Sequence, residues 1–213
     1  MSDKLSNLLL AAALAVPVLL AGPAAAPAFA QAPMAAPPQV APEAAAYAVD
    51  PNHTQALFNV SHFGVSNYWG VFSGVSGTLD LDPKAPEKSA VSVSIPVKSV
   101  ATTSEKLTGE LTSAEWLDAG KYPEMTFRST KLIPTGEGTG AMDGEFTLRG
   151  VTRPVTLKVK FTGAAVNPMT KKVNVGFEAT GTLKRSEFGV DKFVPLVSDE
   201  VSIVITAAFE KKG

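Results

Sequence analysis

Residues able to do acid–base, nucleophilic or metal chemistry are scarce in this chain of 213 residues, which has no Cys and two His against 20 Asp and Glu. Without Cys there is no disulfide, no thiolate nucleophile and no Cys-ligated zinc or iron–sulfur cluster. His53 and His62 stand nine positions apart. On one uninterrupted strand an odd spacing sends them to opposite faces, so they cannot share a metal, and none is expected. His53, within Asp50-Pro51-Asn52-His53-Thr54, is expected to close a turn. His62 has the parity of Phe58 and Val60, and either meets a ligand head group inside the fold or serves as a hydrogen-bonded structural imidazole.

The remaining polar groups lack the arrangements that catalysis requires. Carboxylate chemistry needs two acids converging on one site with separated pKa values. Here Asp80 and Asp82 fall at a turn, and Glu105, Glu110 and Glu115 fall on the exposed faces of predicted helices. Gly70-Val71-Phe72-Ser73-Gly74 lacks the spacing of a nucleophile elbow and sits in a predicted strand. Gly136-Glu137-Gly138-Thr139-Gly140 is followed by a strand pattern and no Lys-Ser/Thr, so a hairpin loop is expected and not a phosphate loop. Arg128, Arg149, Arg153 and Arg185 are spread over separate segments; solvated or ion-paired positions are expected, pairing with an anionic head group being the alternative. Trp69 and Trp116 are expected to be packed, the alternatives being a guard at a cavity entrance or contact with a membrane surface. A net charge of −1 supplies no basic field for a nucleic acid. The reading is a non-enzyme with no catalytic residue and no cofactor.

The elements that would position these groups begin late in the chain. The first 46 residues hold 17 Ala and 7 Pro, with Asp3, Lys4 and Glu43 as the only charges. Lys4, the apolar run Leu8 to Ala21 and Ala28-Phe29-Ala30 resemble a secretory signal over residues 1–30, cut before Gln31. The run is too short to span a bilayer and is interrupted by Pro17, so no stable membrane span is expected after cleavage. Residues 31–46, with Pro33, Pro37, Pro38 and Pro42, read as an Ala/Pro-rich tether. The implied location is periplasmic or secreted.

From Tyr47 onward the pattern is period-two alternation, the mark of half-buried strands. Val91, Val93, Ile95 and Val97 alternate with polar partners, as do Val155, Leu157, Val159 and Phe161. The same holds for Val173, Val175, Phe177 and Ala179, and for Val201, Ile203, Ile205, Ala207 and Phe209. With 54–63, 69–82, 124–132 and 140–149 the count reaches about eight strands, separated by Asp82-Pro83, Pro134-Thr135-Gly136, Arg149-Gly150 and Asn167-Pro168. Residues 103–119 break the alternation and predict one or two short helices, with Thr112 and Glu115 spaced as a capping box and Gly120 as a stop. An all-β antiparallel barrel or sandwich follows. About eight strands enclose an interior that side chains fill or that holds one small ligand, and alternation alone does not separate the two.

Four blocks in collinear order resemble the YceI-like family of secreted lipid-binding barrels. The first is His53-Thr54, Phe58, Val60 and His62, with Gly70-Val71-Phe72 and Gly77 through Asp82. The second, Tyr122-Pro123-Glu124-Met125-Thr126-Phe127-Arg128-Ser129, is similar to a Y-P-x-x-T-F-x-S block. The third, Gly144-Glu145-Phe146-Thr147-Leu148-Arg149-Gly150-Val151-Thr152-Arg153-Pro154-Val155, is similar to a G-x-L-T-x-x-G-V-T-x-P-V hairpin. The fourth, Arg185-Ser186-Glu187-Phe188-Gly189-Val190 with Leu196 to Ile203, is similar to an R-x-x-F-G-I segment and final strand. One departure stands out: Leu107-Thr108-Gly109-Glu110-Leu111 replaces an R-D-x-H-L motif, so that motif's polar groups are absent.

The resemblance implies an eight-stranded lipocalin-like barrel over 47–213 whose apolar lumen holds a polyisoprenoid or isoprenoid quinone lipid for transport, storage or stress protection. Strand parity then offers Phe58, Val60, His62, Val93, Met125 and Phe127 as lumen residues. Phe146, Leu148, Val159, Phe161, Phe177 and Ile203 complete the set. For each of them plain core packing is the alternative. Two rival readings remain: a filled barrel acting as a protein-interaction module, and an enzyme that modifies an isoprenoid lipid. A monomer or a homodimer is expected, since closure removes edge strands.

Overall fold

The computed structural model describes residues 38–213. The signal segment expected at 1–30, and the tether up to residue 37, lie outside the described residues. Eleven strands form one antiparallel sheet: β1 (Ala45–Val49), β2 (Gln55–His62), β3 (Ser66–Phe72), β4 (Ser76–Leu81), β5 (Ala90–Pro96) and β6 (Ala101–Thr102) come before the helix α1 (Glu105–Thr112). After it come β7 (Glu124–Gly136), β8 (Thr139–Leu148), β9 (Val151–Val166), β10 (Val173–Lys184) and β11 (Glu200–Lys211). Because β1 pairs with β4 on one side and β11 on the other, the sheet closes on itself. Closure leaves no row of unpaired backbone groups around that ring.

The eleven strands make eight staves, because three staves are interrupted. β11 pairs with β1 through Phe209 to Lys211 and with β2 through Ser202 to Thr206, so β1 and β2 are one stave broken at residues 50–54. Asp50 makes the break: its carboxylate accepts from the Asn52 N–H at 3.0 Å and bonds the His53 ring at 2.6 Å, closing the expected turn. β3 and β4 form the second broken stave, interrupted at 73–75 where Gly74 takes a φ of 66°. β5 and β6 form the third, interrupted by a 3₁₀ turn at Val97–Ser99 that tucks the fully buried Val97 inside.

Between the staves, β8 and β9 are joined by Arg149-Gly150, both at positive φ, as a two-residue hairpin twisted with the strands requires. β7 runs through Pro134-Thr135-Gly136, so the turn expected there falls at Glu137-Gly138 instead. The helix is capped by Ser104, whose side chain accepts from the Leu107 N–H. Thr112 is its last residue and not an N-cap, and residues 113–119 are turns; the spacing of Thr112 and Glu115 misplaced the helix start. The barrel also takes in part of the expected tether. Ala45 and Ala46 pair with Leu81 and Asp80, the Gln39 side chain accepts from the Ala164 N–H at 3.0 Å, and the Val40 N–H bonds the Ala164 carbonyl at 2.9 Å.

Two features decide how much of the interior is filled. At the corner where β1, β9 and β10 end, Tyr47, Ala164 and Val175 are all but inaccessible and pack with Phe209, while the Tyr47 hydroxyl donates to the Glu43 carbonyl at 3.0 Å. Elsewhere glycine makes room. The ring of Phe58 lies over its cross-strand partner Gly70, and the ring of Phe127 lies over Gly144, in both cases where a Cβ would collide with it. An aromatic ring resting on glycine backbone lies along the wall of the barrel and leaves the bore open.

Candidate functional site

The interior is a cavity of about 850 Å³ with an almost wholly apolar lining. That is near the upper end of the roughly 300–1,000 Å³ typical of small-molecule sites. The cavity runs from His62, Trp116 and Phe193 at the end carrying α1 to Pro83, Pro134 and Gly138 at the other. Its walls come from the inward parity of the strands: Phe58, Val60 and His62 of β2, Val93 of β5, Met125 and Phe127 of β7, and Phe146 and Leu148 of β8. Val159 and Phe161 of β9, Phe177 of β10 and Ile203 of β11 complete this set, so all twelve residues offered by parity line one space. Neighbouring rings meet edge to face or tilted, Phe58 with Phe72 at 5.5 Å, Phe161 with Phe177 at 5.4 Å and Phe177 with Phe209 at 6.1 Å, which fixes the wall without closing it.

Loops supply further lining that parity cannot reveal. Leu107, Glu110 and Leu111 of α1, then Trp116 and Leu117, cover the α1 end, held there by bonds from the Leu117 N–H to the Leu111 carbonyl and the Ala119 N–H to the Thr112 carbonyl. Leu107, Glu110 and Leu111 belong to the stretch that departs from the R-D-x-H-L motif, so in this chain that position presents two leucines and one carboxylate to the cavity. Opposite them Val190, Phe193 and Val197 belong to the loop between β10 and β11.

Arg185 organises that loop. It is 4 % exposed, and its guanidinium donates to three backbone carbonyls, of Ser198 at 2.9 Å, Val190 at 2.6 Å and Val197 at 2.8 Å. One face lies over the Trp116 ring, 5.6 Å from its centre. This corrects the expectation of a solvated or ion-paired arginine: backbone carbonyls satisfy the charge, because the planar fork spans three of them at once. Burial pulls its pKa down, partly offset by the charges of Asp199 and Asp191. Asp199 accepts from the Ser186 N–H at 2.9 Å and hydroxyl at 2.8 Å. Burial pushes the Asp199 carboxyl up, but these bonds and the nearby Arg185 and Lys184 hold it below its ordinary value.

The candidate chemical groups do not converge. His53 is directed outward, its side chain 75 % exposed, while His62 lines the cavity end and stacks on Phe63 with centres 4.0 Å apart. Among the described residues no three His, Asp or Glu side chains cluster as metal ligands. Asp82 and Glu110 line opposite ends of the cavity and form no carboxylate pair. Trp116 lines the cavity, whereas Trp69 is on the outer wall, 48 % exposed. No described helix is long and apolar enough to cross a membrane. What this arrangement can do is hold an elongated apolar molecule along the barrel axis.

Comparison with known proteins agrees with this architecture. The YceI-like domain model matches residues 47–209. Protein YceI of Escherichia coli O17:K52:H18 is 36% identical over 165 residues, covering 76% of this chain and 85% of the relative. Among solved structures, BcnA of Burkholderia cenocepacia superposes with a TM-score of 0.68 at 23% identity, covering 75% of this chain and 98% of BcnA. A polyisoprenoid binding domain from Saccharophagus degradans, implicated in plant cell wall breakdown, has a TM-score of 0.58 at 13% identity, over 78% of this chain and 98% of that domain. A family match across most of the barrel and a relative of this identity establish the membership: the chain belongs to the YceI-like family.

Proposed function

We propose that this protein is a non-catalytic carrier or store for a long-chain polyisoprenoid amphiphile, such as a polyprenyl lipid or an isoprenoid quinone, held in the barrel lumen. The observation that carries the reading is the cavity of about 850 Å³, apolar along its length and kept open by aromatic rings lying over Gly70 and Gly144. Each methylene removed from water contributes about 0.8 kcal/mol, so a long tail gains affinity from burial alone, offset by the freedom lost on threading. Few polar contacts are needed for such a ligand. Family membership and the polyisoprenoid binding domain among the structural neighbours support the ligand class. The scarcity of converging acid–base groups supports binding over bond-making. A periplasmic or secreted location is part of the proposal and rests on the signal-like residues 1–30.

The test is native mass spectrometry of the mature chain purified from its own cells without detergent, followed by organic extraction. A stoichiometric isoprenoid lipid is the expected result. A clean apoprotein mass that persists after incubation with polyprenyl lipids and quinones overturns the reading, and a bound lipid that is chemically converted on standing overturns its non-catalytic part.

A further inference from the structure

The α1 end of the barrel carries large apolar side chains in solvent. Phe63 is 57 % exposed, Val65 82 %, Phe193 54 % and Leu196 57 %. They form one rim. Phe63 and Val65 are at the tip of the β2–β3 hairpin and Phe193 and Leu196 are in the β10–β11 loop, and the two tips are tied by a bond from the Phe63 N–H to the Leu196 carbonyl at 2.7 Å. His62 and Val197 bridge beside it. Burial accounts for Phe193 only in part, through its contact with the Trp116 ring at 6.2 Å between centres, and backbone preference accounts for neither phenylalanine. Phe63 and Phe193 hold φ values of 53° and 62°, a left-handed conformation that bulky residues adopt only at an energetic cost. A glycine or asparagine would make either turn more cheaply, so two half-exposed aromatic rings are kept at the rim at a loss to stability.

We infer that this rim is a docking surface for a lipid bilayer, into which the two loop tips insert. Three observations select a bilayer over a protein. The rim is continuous with the cavity lining, since Phe193, Val197 and His62 belong to both, so the surface that would meet the membrane is the one that bounds the apolar interior. The apolar groups stand on two narrow tips. A stable protein interface buries about 800 Å² per partner on a complementary surface, whereas side chains entering a fluid hydrocarbon phase need no matching shape. The rim also offers no attraction to anionic lipid: of the two charged side chains in the tips, Lys192, beside Phe193, pairs with Glu115, and Asp191 is acidic. Docking therefore depends on apolar insertion and not on attraction to anionic lipid. The inference goes beyond the cargo reading and does not require it.

The test is flotation of the purified chain with unilamellar vesicles of neutral phosphatidylcholine at 0.1 and 0.5 M NaCl, together with the triple variant Phe63→Asn, Val65→Ser, Leu196→Ser. Asn suits the left-handed backbone at 63, and none of the three residues lines the cavity, so the variant keeps its fold and lumen. Its urea midpoint and its uptake of an apolar naphthylamine dye check both. The parent is expected to float at both salt concentrations, and the variant to partition about tenfold less, or weaker still, with dye uptake unchanged. Equal flotation of the two proteins, no flotation of the parent, or flotation abolished by salt overturns the inference. So does a parent dimer in light scattering that the triple variant turns to monomer while neither floats, which assigns the rim to a second copy. A parent that floats but takes up neither dye nor isoprenoid lipid upholds docking while removing the cargo reading.

Discussion

The packed corner around Tyr47 and the α1 end around Arg185 spend the same chemistry in opposite ways. At the corner the largest side chain is fully buried, its hydroxyl satisfied by one carbonyl, and apolar neighbours fill the space around it. At the α1 end the buried group is a cation, its partners are three loop carbonyls, and apolar rings are turned out to water. The corner is held by packing between strands; at the α1 end Phe188 and Val190 anchor the loop by packing, and Arg185 staples its carbonyls together. Core packing runs through both regions, but the loop that bounds the cavity at the α1 end also hangs on hydrogen bonds that can be removed singly.

This contrast can be broken most strongly at the corner. Tyr47→Ala deletes a fully buried aromatic, and a loss of about 3–5 kcal/mol is expected in equilibrium urea unfolding. At the other end Arg185→Met leaves three carbonyls without their donor, and about 1–3 kcal/mol is expected to be lost. Its signature is local: hydrogen exchange should quicken in residues 186–199 and stay unchanged at Tyr47 and Val175. Arg185→Lys should rescue little, since a lysine cannot span the three carbonyls. If both Arg185 variants unfold the whole barrel as Tyr47→Ala does, the division between the two regions is wrong.

The next effect sharpens the link between wall and cavity. Gly70→Ala places a Cβ against the Phe58 ring, whose atoms are the nearest it meets, and drives the ring into the bore. A cost of about 1–3 kcal/mol is expected from overpacking, together with reduced uptake of an apolar dye, which a purely structural glycine would not change. The smallest effect is acid loosening of the loop. The Asp199 carboxyl is held below its ordinary value of 3.8, so its contribution is present at neutral pH and is lost as the pH falls through that lowered value. Protection factors in residues 186–199, taken relative to the intrinsic exchange rate at each pH, should be flat from pH 7 to about 4 and fall below it, and Asp199→Asn should blunt the fall.

Most of the wall was legible in the sequence because alternation is enforced wherever one face of a strand is buried. β7, β9, β10 and β11 each contain the run read for them, β5 holds Val91, Val93 and Ile95 while Val97 falls in the 3₁₀ turn, β8 ends one residue short of the run 140–149, and Phe58, Val60 and His62 share a face as their spacing requires. β1 was missed as a strand because Ala44 to Ala46 carries no alternation, although Leu79 and Leu81 hold it in register from outside. The single run 69–82 is two strands, since at Gly74 the stave bends and its inward parity shifts from Tyr68 and Phe72 to Val75, Leu79 and Leu81. The α1 end was the least legible region. Leu107, Trp116 and Phe193 reach the cavity from a helix and loops, where period-two parity has no meaning, and the burial of Arg185 depends on carbonyls up to 13 residues away. The exposed ring of Phe193 gave no signal at all, because left-handed backbone at phenylalanine runs against every local preference.

The rings of Phe58 and Phe127, resting on glycine, also bear on rates. A ring whose far end occupies the space beside a glycine projects less into the bore than one held off by a Cβ. An unbranched or regularly methylated chain then finds no position along the axis better than the next, and can slide and rotate past such surfaces in small steps. Affinity would grow gradually with chain length while the barrier to moving by one unit stays low. For the proposed cargo this wall predicts tolerance of several lengths and ready exchange, with selectivity imposed at the ends and little of it along the bore.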